Sequence, residues 1–198
     1  MENSIKNILI TDRKYTGETD LVPRITAAIK WHNISAVQIR EKDILNDEEL
    51  IQLILKISAA VKEKKPLIKI IINSRYDLVN ELDLDGVHLP ESGLIPENMK
   101  KIRETIGHDK IIGVSTHSVQ NAVLAEKSGA DYVTFSPIFY TESKKDYGAP
   151  QGLTKLAECV STVDIPVIAL GGINEDNIND CLTAGASGVA AIKYFLSK

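Results

Sequence analysis

Apolar and polar positions fall in alternating blocks along the whole chain. Short runs dense in Ile, Val and Leu occur at 8–11, 36–40, 67–73, 86–89, 111–116, 132–136, 166–170 and 188–192. Runs of this length and β-branched content predict strands with both faces covered. Between them, apolar residues recur at helical spacing over 18–31, 47–62, 76–82, 96–106, 118–127, 153–160 and 177–183, with Ser118 placed to cap the helix that carries Ala122 and Leu124. Strands alternating with helices imply parallel pairing through right-handed crossovers. Eight such units predict an α/β fold, a closed (β/α)8 TIM barrel rather than an open doubly wound sheet. The segments 84–87, 129–133 and 185–189 each close a helix and open a strand, which suggests repeated units. Little chain follows the last strand, so the eighth helix is expected to be nearly absent. No Pro/Gly/Ser-rich linker interrupts the pattern, and residues 1–198 read as a single domain.

Composition narrows the function classes. A formal net charge of -4 argues against a nucleic-acid binder, whose footprint would be a basic face. The cluster Lys62-Glu63-Lys64-Lys65 reads as a solvated helix end, with cations near the negative end of the dipole. Cys159 and Cys181 are too few for a disulfide scaffold and fall on predicted helices, as reduced packing residues would. The amino terminus has no signal-peptide pattern, and no apolar run approaches the ~20 residues of a membrane span. The expectation is a cytoplasmic protein with neither membrane nor nucleic-acid partners.

In such a barrel the site lies at the carboxyl ends of the strands. The stretch Ile112-Gly113-Val114-Ser115-Thr116-His117-Ser118 puts a histidine where a buried strand gives way to a helix, and imidazole can take and give a proton near neutral pH. Other strand ends carry donors for an anion. Gln38, Arg40 and Lys42 follow strand two, on one side of an extended segment. Asn73, Ser74 and Arg75 follow strand three, a loop with Tyr140, Thr141, Ser143, Lys144 and Lys145 follows strand six, and Gly171-Gly172 follows strand seven. A Gly-Gly turn or a Lys pair alone is usually structural or solvated surface. Their convergence on one mouth suits a phosphorylated substrate. The connection 140–152 is long for this fold and reads as a lid. His88 reads as a packing residue without an evident partner, and His32 and His108 as surface residues at helix ends.

The chain resembles the thiamine phosphate synthase superfamily, which includes thiazole tautomerases of the TenI type. The resemblance runs from Thr11-Asp12-Arg13 to Val189-Ala190 and rests on Gln38-Ile39-Arg40-Glu41-Lys42, Ile72-Asn73-Ser74-Arg75, Gly86-Val87-His88-Leu89, Gly113-Val114-Ser115-Thr116-His117, Ser136-Pro137-Ile138-Phe139 with Thr141 and Lys144, and Ala169-Leu170-Gly171-Gly172-Ile173. It implies that Lys42, Asn73, Ser115 and Lys144 retain positions that bind diphosphate in the synthase. It also implies a magnesium ion held by two aspartates, where this chain has Ser74 and Gly93. Glu91 is a substitute if its loop shifts. Lys193 stands where the family commonly has a serine near the thiazole phosphate.

With both expected carboxylates missing, the resemblance points to the tautomerase branch. On that reading the enzyme is an isomerase that needs no metal, aromatises a carboxylated thiazole phosphate, and uses His117 as its acid/base; magnesium enters only if the protein is a synthase. The synthase, a transferase joining a pyrimidine diphosphate to a thiazole phosphate, is the alternative. A binding protein that takes a thiazole or thiamine phosphate and regulates a partner is a third reading. A homodimer is compatible with each.

Overall fold

The computed structural model describes residues 5–17, 20–141 and 149–197. Eight parallel strands close into a barrel in chain order. They are β1 (Ile8–Ile10), β2 (Ala36–Ile39), β3 (Lys69–Asn73), β4 (Gly86–Leu89), β5 (Ile111–Thr116), β6 (Tyr132–Phe135), β7 (Val167–Leu170) and β8 (Gly188–Ala191). Each lies within its predicted run. The helices are α1 (Arg13–Thr16), α2 (Leu21–Trp31), α3 (Asp47–Lys64), α4 (Leu78–Glu81), α5 (Pro96–Ile106), α6 (Val119–Lys127), α7 (Gly152–Thr162), α8 (Ile178–Thr183) and α9 (Lys193–Leu196). Helix α1 was not anticipated, because four residues are too short to show a period; it is started by the Asp12 side chain, which accepts from the Lys14 N–H. A 3₁₀ turn, Glu91–Gly93, follows β4. The Ser118 cap is as expected: its hydroxyl accepts from the Asn121 N–H. The short α9 closes the fold against α2, where His32 packs on the rings of Tyr194 and Phe195.

Strand alternation splits the apolar residues into two cores. One face of each strand packs against the helices, joining Val37, Ile70, Val87, Val133 and Val189 to Leu21, Ile54, Met99 and Leu156. The other face fills the barrel interior with Ile8, Ile10, Ala36, Ile71, Tyr132, Ile168 and Ala190. These apolar residues are almost fully buried, and the polar residues Gln38, Asn73, Ser115 and Thr134 lie nearer the carboxyl ends of their strands. Cys159 and Cys181 are buried, and burial pushes both thiols up to about 11. Among the described residues no helix is long and apolar enough to cross a membrane.

The repeated helix-to-strand turns use one hydrogen-bonding device. The Asp85 N–H donates to the Ile70 carbonyl, and its carboxylate accepts from the Ile70 N–H at 2.8 Å. The Asp131 N–H donates to the Ile112 carbonyl, and its carboxylate accepts from the Ile112 N–H at 2.7 Å. At the third turn Ser187 donates its N–H to the Val167 carbonyl. Each carboxylate thus locks the entry of its strand against the preceding one. Burial would raise the Asp85 carboxyl, but the Ile70 N–H and the Lys62 and Lys69 ammoniums outweigh it and hold it below the usual carboxylate range.

Candidate active site

Parallel register lays the predicted residues around one mouth. Gln38 pairs with Ile71, Asn73 with His88, His88 with Gly113, and Ser115 with Thr134, so these inward positions step around the barrel from β2 to β6. The Gln38 amide donates to Asn73 Oδ1 at 3.3 Å, and Asn73 Nδ2 donates to the Ser74 hydroxyl at 3.0 Å. Gln38 is almost fully buried, and its Oε1 is without a hydrogen-bond partner among the described residues.

The rim after β1 and β2 is fastened by Glu41, which the sequence reading passed over. Its carboxylate accepts from the Thr11 hydroxyl and, at 2.8 Å, from the Arg13 N–H. Thr11 in turn accepts from the Arg40 N–H at 3.0 Å. Burial pushes the Glu41 carboxyl up, opposed by those two donors. The strand ends at Ile39, so Lys42 lies in a turn and not on an extended segment. Arg40 and Lys42 are nevertheless close enough that the guanidinium, together with partial burial, lowers the Lys42 ammonium.

Arg75 is engaged by two carboxylates on the surface. It forms ion pairs with Asp47 and Asp77 at 2.6 and 2.7 Å, so its charge is already met. Ser74 has φ 67°, in the left-handed region. Gly171 and Gly172 have φ 98° and 70°, and a Cβ at either would lie 2.8 Å from Pro137 or 2.7 Å from Phe139. Their lack of side chains thus lets the loop after β6 lie against the loop after β7, where Ile138 and Phe139 donate N–H groups to the Leu170 and Gly171 carbonyls. Lys193 opens α9 at the same rim, its ammonium 5.8 Å from the Tyr15 ring centroid. Thr141 is half-buried at the edge of the described loop. Ser143, Lys144 and most of the expected lid lie outside the described residues.

His117 is held on several sides. Its Nδ1 is 2.7 Å from the Ser136 carbonyl oxygen, which requires that nitrogen to carry the proton. Its N–H donates to Glu91 Oε1 at 2.9 Å, and its carbonyl accepts from Gln151 Nε2. Glu91 Oε1 also accepts from Asn121 Nδ2 at 2.7 Å. Glu91 thereby ties the turn after β4 to the start of α6, and is committed to that task. The donor set does not match a two-carboxylate magnesium anchor: Ser74 has only a hydroxyl, Gly93 has no side chain, and among the described residues no three His, Cys, Asp or Glu groups are placed to hold a metal ion.

The comparisons with known proteins decide the family. The model for thiamine monophosphate synthase matches residues 7–195. The chain belongs to the thiamine monophosphate synthase family. It is 38% identical over 192 residues to the thiamine-phosphate synthase of Clostridium acetobutylicum, covering 97% of this chain and 87% of the relative. It is 37% identical over 198 residues to that of Clostridium novyi, covering 99% and 93%. Thiamine phosphate pyrophosphorylase from Pyrococcus furiosus superposes with a TM-score of 0.80 at 32% identity, covering 96% of this chain and 87% of that one.

These relatives correct the expectation of an isomerase. At this identity, over nearly the full length, they carry the name of a transferase. The acid/base role of His117 belongs to the isomerase reading and is not carried over with it.

Proposed function

We propose that the protein is a transferase of the thiamine-phosphate synthase type, which joins a pyrimidine diphosphate to a thiazole phosphate and releases diphosphate. The observation that carries this reading is the convergence on one barrel mouth of Gln38, Asn73 and Ser115 with the cations of Arg40 and Lys42. In the reaction the pyrimidine carbon–oxygen bond breaks, the diphosphate leaves with the electron pair, and the thiazole nitrogen takes the vacated carbon. The difficulty is the negative charge that develops on the leaving oxygens. Hydroxyl, amide, ammonium and guanidinium donors aimed at that charge from a rigid barrel lower the barrier without reorganising. Lys42 and Ser115 would meet the diphosphate, Gln38 and Asn73 would hold the polar edge of the pyrimidine side, and Gly171-Gly172 with Lys193 would face the thiazole phosphate.

The test is direct. Purified protein is incubated with pyrimidine diphosphate and thiazole phosphate, with and without magnesium, and thiamine phosphate is measured. Product above the uncatalysed rate supports the transferase, and it should fall in a Ser115→Ala, Lys42→Ala variant. Binding of both substrates with no product under either condition would overturn the reading in favour of a binding-only role.

A further inference from the structure

Below the mouth a polar chain crosses three strands inside the barrel. His88 on β4 is 2% exposed and Tyr132 on β6 is fully buried. The Tyr132 hydroxyl is 2.9 Å from His88 Nδ1, and His88 Nε2 is 2.9 Å from the Ser115 hydroxyl on β5. Alternation along the sequence gives His88 no evident partner; the barrel brings Ser115 and Tyr132 to it from the next two strands.

Tyrosine decides the direction of this chain. A buried phenol has one proton to place, and among the described residues its hydrogen-bond partner is His88 Nδ1. Leaving that buried proton unmet forfeits the hydrogen bond water would have given it, whereas an unused phenol lone pair costs far less. Tyr132 therefore donates and Nδ1 accepts. An imidazole that accepts at Nδ1 is neutral and carries its proton on Nε2, so His88 donates to Ser115. Thr134 also donates to the same Ser115 oxygen, at 3.5 Å. With its oxygen receiving these donors, Ser115 turns its own proton outward to the mouth.

We propose that His88 and Tyr132 form a positioning pair that fixes Ser115 as a hydroxyl donor to the oxygens of a diphosphate group in the barrel mouth. This rests on the transferase reading for the identity of the anion. Neither His88 nor Tyr132 touches the ligand; both act through Ser115. If Ser115 instead gave its proton to His88, it would meet the anion with a lone pair and repel it.

The experiment uses the full chain, with inorganic pyrophosphate in magnesium chloride as the probe and titration calorimetry as the readout. Tyr132→Phe removes the phenol proton and should weaken pyrophosphate binding roughly tenfold. Ser115→Ala should do about the same, and adding Tyr132→Phe to Ser115→Ala should cost nothing further. His88→Gln, whose terminal amide can still donate to Ser115, should retain most of the affinity. Independently of variants that fail to fold, nitrogen-15 spectra of the unaltered protein should show His88 protonated on Nε2. The proposal is overturned if His88 carries its proton on Nδ1, if the unaltered protein does not bind pyrophosphate, or if Tyr132→Phe weakens binding equally with and without Ser115. Should this binding pattern hold while no thiamine phosphate is formed, the transferase reading falls and the positioning pair stands. Product formation without the pattern would have the opposite meaning.

Discussion

Tyr132 fills the space that Gly113 leaves: a Cβ built at Gly113 would lie 2.1 Å from Tyr132 Cζ and 2.4 Å from its hydroxyl. The two are paired across β5 and β6. The ring crosses the barrel only because its neighbour has no side chain. Gly113→Ala should therefore destabilise the protein by about 1–3 kcal/mol through overpacking, read as a shift of the urea midpoint at unchanged slope. Because the clash involves the ring and not only its hydroxyl, Tyr132→Phe should fail to rescue it and Tyr132→Leu should recover part of the loss.

Asp85 offers a pH-dependent test of the repeated strand-entry device. Its carboxyl is lowered in the folded protein, so the folded state binds this proton less tightly than the unfolded chain does. The stability it contributes is present above the unfolded value of about 4 and is lost as pH falls through its lowered folded value. Asp85→Asn should cost ~1–2 kcal/mol at pH 7, and the gap to the parent should close in the acid range. A gap independent of pH in chemical unfolding would show that the lost contacts are not ionic.

Lys42 should lose its charge under the influence of Arg40. The Lys42 ammonium is lowered first by the Arg40 guanidinium and then by burial. Raising the pH removes the Lys42 charge earlier than for an ordinary lysine, and pyrophosphate affinity should decline with it. In Arg40→Gln that alkaline decline should move to higher pH, even though affinity near neutrality drops. An unmoved alkaline limb would mean that Lys42 does not contact the anion.

Ser74 can be asked whether a carboxylate is tolerated where the family resemblance implies one. Its φ of 67° is a conformation that Asp adopts more readily than most residues. Ser74→Asp should fold, and magnesium should then strengthen pyrophosphate binding and synthesis by about tenfold, a gain of ~1.4 kcal/mol. If magnesium does no more for the variant than for the parent, this position does not face the diphosphate.

The sequence by itself determined the barrel and the location of its mouth. Alternating blocks of β-branched and helix-period residues leave few ways to bury both faces of eight strands, which is why every strand fell inside its predicted run. The turns that carry Asp85 and Asp131 are legible as recurring helix-to-strand segments, but the bonds of their carboxylates to the Ile70 and Ile112 N–H groups appear only in the fold. Tertiary structure decided what period and composition do not encode. Arg75 reads as an anion donor in the sequence, and only the fold brings Asp47 from the start of α3 against it. Gly171-Gly172 also lets the neighbouring loop pack closely, and Glu41 is a clasp between two others. His88 acquired its role only when closure of the barrel set it beside Ser115 and Tyr132, 27 and 44 residues away. Side-chain alternation tells which way a residue faces; what it meets there depends on the register of strands distant in the chain.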